Sequence, residues 1–200
     1  MLGVDLAQHL LQLARAKAQR RGLSHVEFRV ADFEALDPSA ETFDAVICVF
    51  GIFFVTDMPK GVRHLWQLVR PGGQLAVTTW GPRVFEPGGS ALWELVRQKR
   101  SDLYKGFNPW DRINDPNSLA AMLLEAGVQT ANVVAEEGSQ PLSSPEDFWT
   151  IAMGTGFRAT IEQMDQGTRE SVRTAILEHL SRTGVRHVQT NALYALGRKA

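Results

Sequence analysis

The stretch Phe43-Asp44-Ala45-Val46-Ile47-Cys48-Val49-Phe50 decides the fold class of this chain. Its last six residues, 45–50, are all apolar, so an extended segment here presents apolar side chains on both faces. Such a run is typical of a central strand in a parallel sheet, because helices cover both faces of that kind of sheet. The sequence therefore predicts an α/β protein in which this segment is a central strand with helices on each side.

The segments upstream of this strand alternate between extended and helical patterns. Residues 1–5 are predicted as a strand that ends in Asp5, and a helix follows that ends at Gly22. Residues 26–30 alternate apolar and polar side chains and are predicted as a second strand. A strand, a helix and a second strand in this order form one unit of a parallel sheet.

The segments downstream continue the alternation. A helix is predicted to carry one apolar stripe and to end at 70–73, Arg-Pro-Gly-Gly; the stripe comprises Val62, Leu65, Trp66 and Val69. Further strands are predicted at 74–80, 128–136 and 187–196. Two helical or loop insertions, 81–116 and 144–184, interrupt a single domain of residues 1–200.

The composition excludes several classes of protein. The chain has 200 residues, 44% of them hydrophobic and 22% charged, with a formal net charge of −1, as in an ordinary globular domain. This charge balance argues against a nucleic-acid partner, and no apolar run or N-terminal leader pattern predicts a membrane span or a signal peptide. The single cysteine excludes an internal disulfide and a cysteine-based zinc cluster. We expect a cytoplasmic protein whose oligomeric state the sequence does not indicate.

Acidic residues stand at the ends of the first two predicted strands, where open parallel sheets bind their ligands. A carboxylate at Asp5 suits the two vicinal hydroxyls of a ribose, although aspartate is also a common helix cap. Asp32 suits an exocyclic amino group and Phe33 suits stacking on a ring, although Asp32 is also a common turn residue. Taken together, the two acids predict an adenosine held at its sugar and at its base.

Four spaced motifs carry a resemblance to the class I S-adenosylmethionine-dependent methyltransferases. They are Gly-Val-Asp-Leu at 3–6, Val-Glu-Phe with an aspartate at 26–32, Phe-Asp-Ala-Val at 43–46, and Leu-Val-Arg-Pro-Gly-Gly-Gln-Leu at 68–75. The resemblance extends from residue 1 to about residue 80. Val-Phe-Gly-Ile at 49–52 is similar to the Ser-Phe-Gly-Leu segment of the small-molecule branch that includes the ubiquinone and menaquinone C-methyltransferases.

This resemblance implies a fold, a cofactor and a cofactor site. The fold is a Rossmann-like, mostly parallel sheet with an antiparallel last strand and helices on both faces. The cofactor is S-adenosyl-L-methionine, and the residues expected to bind it are Asp5, Leu6, Ala31, Asp32, Phe33, Val49 and Phe50. Within this set, Asp5 is expected at the ribose hydroxyls, Leu6 beside the adenine, and Asp32 at the adenine amino group with Phe33 next to it. Val49 and Phe50 are expected near the methionine portion.

The chain departs from the family at two places. The family's glycine-rich loop joins its first strand to its first helix, and no such loop precedes Asp5. We therefore expect that the first strand is missing, that the sequence is a fragment or has a start codon assigned too late, and that the native protein carries roughly 40–60 further N-terminal residues. The second departure is Phe53-Phe54, where the quinone branch has arginine and asparagine.

The substrate region is predicted from aromatic residues at or just beyond the strand ends. Phe53, Phe54 and Trp80 are expected to line a partly apolar pocket, and Tyr104 and Trp110 suit either that pocket or the core. The two insertions are expected to cover the substrate site, with packing at the sheet edge as the alternative for 144–184.

No catalytic base and no metal site is predicted. The histidines lie away from the predicted strand ends and are interpreted as surface or packing residues: His9, His25, His64, His179 and His187. Cys48 is interpreted as a small buried apolar residue within its strand. Asn108-Pro109-Trp110 resembles a motif of methyltransferases that act on amino groups, but its place in an insertion favours a turn.

The function predicted from these observations is S-adenosylmethionine-dependent methyl transfer to a small, partly apolar molecule. One alternative is a non-catalytic pseudo-methyltransferase, or a fragment that does not bind the cofactor alone. Another is an NAD(P)-dependent oxidoreductase, since an acid after the second strand of such folds also binds ribose. Asp32, the 71–73 turn and the C-terminal strand argue against the oxidoreductase.

Overall fold

The computed structural model describes residues 1–40 and 42–200. Eight strands and seven α-helices follow one another in this part of the chain. In order they are β1 (Leu2–Asp5), α1 (Gln8–Arg20), β2 (Glu27–Val30), β3 (Phe43–Val49), α2 (Met58–Gln67), β4 (Val69–Trp80), α3 (Gly88–Lys99), α4 (Pro116–Glu125), β5 (Ala131–Glu136), β6 (Ser139–Pro141), α5 (Pro145–Met153), α6 (Arg158–Ile161), α7 (Gln166–Thr183), β7 (His187–Gln189) and β8 (Ala192–Arg198).

The strands form three separate sheets. β1 and β2 pair in parallel, and a four-stranded sheet has the order β3-β4-β8-β5. β3 and β4 are parallel, whereas β8 is antiparallel to both of its neighbours, so β8 alone runs against the other three strands of this sheet. The short strands β6 and β7 form an antiparallel pair. The predicted α/β class, with a mostly parallel sheet and an antiparallel last strand, is confirmed.

β3, which was expected to be a central strand, lies at the edge of the four-stranded sheet as the structure describes it, and it is covered on one face only. Ile47 and Val49, which point to the same face of the strand, are 67% and 61% exposed. The expectation that helices cover β3 on both sides was therefore wrong for the residues that the structure describes. An apolar run indicates which side chains suit burial, but whether another element covers them is decided by the remainder of the tertiary structure.

The boundary between α2 and β4 differs from the prediction. The helix ends at Gln67, and Val69 is the first residue of the strand, not the end of the helical stripe. Residues 70–73 lie within β4 at an irregularity in its register with β3, not in a turn that precedes the strand. The C-terminal segment stabilises this extension, because the Lys199 N–H donates to the Gly73 carbonyl at 2.9 Å and the Gly72 N–H donates to the Lys199 carbonyl at 3.0 Å.

The predicted last strand, 187–196, is two strands that belong to different sheets. β7 ends at Gln189 and β8 begins at Ala192, with Asn191 between them. The Asn191 side chain accepts a hydrogen bond from the Gly138 N–H at 3.0 Å and donates to the Pro82 carbonyl at 2.9 Å. These bonds hold three chain segments together at the corner, which is a long-range arrangement that alternation in the sequence does not reveal.

Two apolar cores lie next to each other. The first packs α2 and α4 against the four-stranded sheet and contains Val62, Leu75 and Leu123. The second joins the two predicted insertions, because α3 contacts α7 and α5 contacts α7, around Leu92 and Phe148. The two insertions therefore form one helical layer instead of separate loops. In residues 1–40 and 42–200, no helix is both long enough and apolar enough to span a membrane.

Candidate functional site

A cavity lies between the β1-β2 pair and the four-stranded sheet, with β1 on one side and β3 on the other. Its volume is about 280 Å³, and three of the predicted cofactor residues line it, namely Asp5, Phe33 and Val49. Within the described residues, the lining of the cavity does not include Leu6, Ala31 or Asp32. The Leu6 side chain is exposed. The structure thus brings together part of the predicted cofactor site across the gap between the sheets. We call this space the inter-sheet cavity.

The two acidic residues occupy neighbouring strand ends. Asp5 pairs in register with Val30, so Asp32 follows the end of the adjacent strand. Each carboxylate also holds the turn that follows it, because Asp5 Oδ1 accepts from the Ala7 N–H at 2.7 Å and Asp32 Oδ1 accepts from the Glu34 N–H at 2.9 Å. The turn interpretation of Asp32 is confirmed, whereas Asp5 holds the turn before α1 and is not its N-cap, which is Ala7. The binding of adenosine stays a prediction.

Cys48 also lines the inter-sheet cavity. Burial raises the pKa of the Cys48 thiol, and the backbone N–H groups of Gly51 and Ile52 offset part of that rise. A thiol with a raised pKa is mostly protonated at neutral pH and is a poor nucleophile. This agrees with the interpretation of Cys48 as a small packing residue.

A second space opens at the carboxyl ends of β3 and β4, and Phe50 and Trp80 line it. It has a volume of about 460 Å³, and six aromatic residues line it: Phe50, Phe53, Phe54, Trp80, Phe85 and Trp110. The three residues predicted to contact substrate are all in this group. Phe50, which was expected near the cofactor with Val49, lines this second space and not the inter-sheet cavity. We call this space the aromatic cleft.

The aromatic rings of the cleft pack against one another, and these contacts hold their orientations. Phe50 stacks on Trp80 with ring centroids 4.1 Å apart and an interplanar angle of 26°, and Phe85 meets Trp80 edge-on at 5.2 Å. Phe53 meets Trp110 edge-on at 5.5 Å. Phe50 and Phe85 have φ angles of 49° and 66°, a left-handed backbone conformation that is uncommon for a residue with a large side chain. Such strain persists where the surrounding packing requires it, and it occurs often at ligand sites.

The outer wall of the cleft comes from the second insertion. Residues 154–156 and the start of α6 line it, and Arg158 and Glu162 are its charged members, with Arg158 Nε 2.7 Å from Glu162 Oε1. No sequence pattern predicted that Phe85, Arg158 or Glu162 would lie in this site. The Gly154-Thr155-Gly156 break between two helical patterns was the one local signal of an irregular segment there.

Of the remaining candidate residues, Trp110 lies in the cleft and Tyr104 does not. Trp110 joins the cleft and is largely buried, whereas Tyr104 lies outside its lining and packs edge-on against Trp93 at 6.1 Å. Asn108 caps a short 3-10 turn, because its N–H donates to the Asp111 carboxylate at 2.7 Å, so the turn interpretation is confirmed. Across the described part of the chain, no group of three or more His, Cys, Asp or Glu side chains is placed to hold a metal ion.

The chain matches known proteins in sequence. Residues 1–77 match the family described as a methyltransferase domain. The ubiquinone/menaquinone biosynthesis C-methyltransferase UbiE of Cronobacter sakazakii is 31% identical over 141 residues, which cover 64% of this chain and 56% of that protein. Over the matched residues the chain is similar to the class I S-adenosylmethionine-dependent methyltransferases. It spans little more than half of the length of this relative.

Solved structures agree on the fold. The YcgJ protein of Bacillus subtilis aligns with a TM-score of 0.54 at 15% identity, over 99% of this chain and 81% of that one. A phosphoethanolamine N-methyltransferase 2 of Haemonchus contortus, solved with phosphomonomethylethanolamine and S-adenosylhomocysteine, aligns with a TM-score of 0.51 at 16% identity, over 100% of this chain and 43% of that one. At such low identities the likeness establishes the methyltransferase fold and nothing finer.

Proposed function

We propose that this chain is the methyl-transfer domain of an S-adenosylmethionine-dependent enzyme that acts on a small, partly apolar molecule. The observation that supports this most directly is the position of the 49–50 peptide. Val49 lines the inter-sheet cavity and Phe50 lines the aromatic cleft, so two ligand-sized spaces meet at one strand end. A group-transfer enzyme needs two such adjacent spaces, one for the donor and one for the acceptor.

The proposed cofactor site is the end of β1 and β2 together with the inter-sheet cavity. Its chemistry suits an adenosine, because two carboxylates follow neighbouring strand ends and Phe33 lines the cavity beside Asp5. In the proposal Asp5 accepts from the ribose hydroxyls with Leu6 beside the adenine, and Asp32 accepts from the adenine amino group. Ala31 and Val49 are the remaining proposed contacts on this side.

The proposed contribution of the chain to the reaction is alignment. The bound cofactor supplies an activated methyl group, and the protein orients the acceptor and excludes water. The aromatic cleft suits the second task, since Phe53, Phe85 and Trp110 are buried in its walls. Within the described lining, Glu162 is the one carboxylate, and its oxygen is already paired with Arg158.

We further propose that a parallel β-strand, supplied by polypeptide upstream of Met1, fits between β1 and β3. Three features support it: the two sheets are separate, each has a parallel pair next to the gap, and β1 and β3 are edge strands of their sheets as described. A strand there would satisfy backbone groups on both neighbours. In this proposal the chain as given lacks the segment that holds the methionine portion of the cofactor, and so binds the cofactor weakly by itself.

Isothermal calorimetry tests both proposals. S-adenosylhomocysteine and NADH are titrated into residues 1–200. They are also titrated into a longer chain that adds the amino acids encoded in frame upstream of Met1. Tight binding of S-adenosylhomocysteine by the extended chain, and weak or no binding by residues 1–200, supports both the methyltransferase and the added strand. Equal binding by the two chains contradicts the added strand. Binding of NADH in preference favours an oxidoreductase, and no binding by either chain favours a non-catalytic relative.

A further inference from the structure

The two walls of the aromatic cleft belong to different apolar cores. Phe53 and Trp110 are part of the first core, which packs on the four-stranded sheet. Phe85 is part of the second core, and the 154–162 segment belongs to the helical layer that encloses that core. The width of the cleft therefore depends on how the helical layer is held against the sheet.

Three passages of the chain from one layer to the other meet at one corner. They are residues 80–85, 136–142 and 188–193. The third passage is short, since Val188 lies in the second core and Leu193 already lies in the first. Where two packed layers are joined, the contacts at the junction restrict how far one layer slides over the other.

The backbones of these passages touch at the corner. The Gly81 N–H donates to the Asn191 carbonyl at 2.7 Å, and the Thr190 N–H donates to the Gly138 carbonyl at 2.9 Å. A Cβ added at Gly138 would lie 2.6 Å from the Thr190 carbonyl oxygen, and one added at Gly81 would lie 3.0 Å from the Asn191 Cβ. Each glycine thus permits an approach that a side chain would prevent.

The side chain of Asn191 bridges the first two passages. Its Oδ1 accepts from the Gly138 N–H at 3.0 Å. Its Nδ2 donates to the Pro82 carbonyl at 2.9 Å and to Gln189 Oε1 at 3.2 Å. An amide both accepts and donates, whereas a carboxylate of the same length only accepts and a leucine side chain does neither. The bridge therefore requires the amide.

The first passage carries a ring of the cleft. Phe85 follows Pro82 closely in the chain, and its N–H donates to the Gln189 carbonyl at 2.7 Å. Its ring meets Trp80 edge-on at 5.2 Å and Phe157, in the helical layer, at 5.7 Å. A displacement at the corner would move Phe85 relative to Trp80, and it would move the outer wall of the cleft with it.

From these observations we propose that Asn191 is a positioning residue of the aromatic cleft, whose side-chain amide fixes the helical layer against the sheet and so sets the distance between the two walls. Asn191 is not in the described lining of the cleft, so it acts through the 80–85 passage and not by touching a ligand. The inference rests on the proposed function in one respect, namely that the cleft holds the methyl acceptor.

The distance between the two layers tests the proposal. Nitroxide labels are placed at Gln67→Cys on α2 and Glu178→Cys on α7, two exposed positions in different layers. Cys48→Ala removes the single natural thiol. Double electron–electron resonance then gives the distribution of the distance between the labels in the full chain, without any ligand. We expect one narrow distribution when Asn191 is present.

Two variants of Asn191 separate the parts of the bridge. Asn191→Leu removes both hydrogen bonds and is expected to broaden the distance distribution. Asn191→Asp keeps the acceptor for the Gly138 N–H and loses the donor to the Pro82 carbonyl, so it is expected to broaden the distribution less. Asn132→Leu, at an exposed asparagine on β5, is the control and is expected to leave the distribution unchanged.

A spectroscopic signal from the cleft itself completes the test. With 5-fluorotryptophan incorporated, the ¹⁹F resonance of Trp80 is identified by its loss in Trp80→Phe. It is expected to shift in both Asn191 variants, because the rings of Phe50 and Phe85 lie against Trp80. The resonance of Trp66, which packs beside Lys199, is expected to stay in place.

The outcomes separate positioning from a general contribution to stability. A lower melting temperature of the Asn191 variants, with an unchanged distance distribution and an unchanged Trp80 resonance, overturns the proposal. Equal broadening in Asn132→Leu overturns it as well. If Asn191→Leu does not fold, Asn191→Asp decides the question, since it retains one of the two bonds to the neighbouring passages.

This experiment is independent of the calorimetry with S-adenosylhomocysteine. If the Asn191 variants behave as expected and S-adenosylhomocysteine binds neither chain, the methyltransferase proposal fails and Asn191 keeps its role in setting the cleft. If S-adenosylhomocysteine binds and the Asn191 variants change neither signal, the proposed function stands and the inference about Asn191 fails.

Discussion

The ring of Phe50 stacks on the ring of Trp80, with centroids 4.1 Å apart, where β3 and β4 end side by side. Phe50 adopts a φ of 49° in this position, so the backbone turns sharply as it leaves β3. That turn sends Phe50 to the aromatic cleft while Val49 stays in the inter-sheet cavity. The stacked pair therefore belongs to the aromatic cleft, and the residue before it belongs to the inter-sheet cavity.

The first prediction concerns the energy of this stack. In a double-mutant cycle, Phe50→Leu and Trp80→Leu are expected to show a coupling of about 1 kcal/mol, as for aromatic pairs in general. Urea unfolding followed by circular dichroism measures it. A second cycle of Phe50→Leu with Trp93→Leu is the control, because Trp93 packs against Tyr104 and Phe157 instead. A coupling near zero in the first cycle would show that the stack contributes no pairwise stabilisation.

The second prediction separates the two interpretations of Asp5. Asp5→Asn keeps a side-chain oxygen that accepts from the Ala7 N–H, so the turn and the stability of the fold are expected to remain. The charge that favours ribose hydroxyls is lost, and S-adenosylhomocysteine is expected to bind at least about tenfold more weakly in the chain that binds it. Calorimetry and thermal unfolding are measured on the same samples. Unchanged affinity would restrict Asp5 to its role in the turn before α1.

The third prediction concerns the reactivity of the single cysteine. Since burial raises the pKa of the Cys48 thiol, the thiolate is scarce at neutral pH. Alkylation by iodoacetamide at pH 7.5 is expected to be at least about tenfold slower than for free cysteine, and to accelerate as the pH rises. Mass spectrometry of the intact chain gives the rate without ambiguity, since there is one cysteine. Urea-unfolded chain is the control, and a native rate equal to the unfolded one would contradict the burial.

The fourth prediction concerns acid stability. Hydrogen bonds from Arg97 and Gln98 lower the pKa of Glu94 from its ordinary value of 4.5 to about 2. A lowered folded-state pKa contributes stability that is complete above the ordinary value and is lost as the pH falls toward 2. The difference in melting temperature between the native chain and Glu94→Gln is therefore expected to shrink across this interval.

The matched control for this prediction is Glu178→Gln on α7, another carboxylate-to-amide change on a helix. Because Glu94 and Arg97 are both well exposed, the effect is expected to be small and to weaken in high salt. A difference that grows as the pH falls would have the wrong sign for the proposed pairing.

The fifth prediction concerns the helical layer beside the cleft. Gly88, the first residue of α3, lies so close to the buried ring of Phe148 on α5 that an added Cβ would overlap that ring. Gly88→Ala is expected to destabilise the protein by about 1–3 kcal/mol through overpacking. Gly106→Ala is the control, because an added Cβ there would have its nearest neighbour, Tyr104 Cε1, at 3.7 Å. Equal stability of the two variants, measured by urea unfolding, would show that the helical layer adjusts freely.

The parts of the site that are determined locally were predictable from the sequence. Asp5 and Asp32 lie at strand ends because an apolar or alternating run stops there and a turn begins. Both signals come from residues that are neighbours in the sequence. Phe53, Phe54 and Trp80 follow in the same way from the ends of β3 and β4. Their meeting in one cleft follows from the rule that parallel strands end at a common edge.

The parts that depend on distant contacts were not predictable. Phe85 enters the cleft because its backbone adopts a left-handed conformation after Trp80, and Glu162 because α6 packs back against the strand ends. The 70–73 segment gave a strong turn signal, yet hydrogen bonds with Lys199, more than a hundred residues later, hold it within β4. A local sequence pattern does not show which distant residue will form hydrogen bonds with the backbone of such a segment.

Local sequence was enough to predict the fold class and the two acids that follow β1 and β2, because apolar periodicity and turn residues act over a few neighbouring positions. The tertiary structure decided which face of β3 is covered, that Val49 and Phe50 line different spaces, and that the 154–162 segment closes the aromatic cleft. These outcomes depend on how separate elements pack, since a side chain is buried only when another part of the molecule covers it.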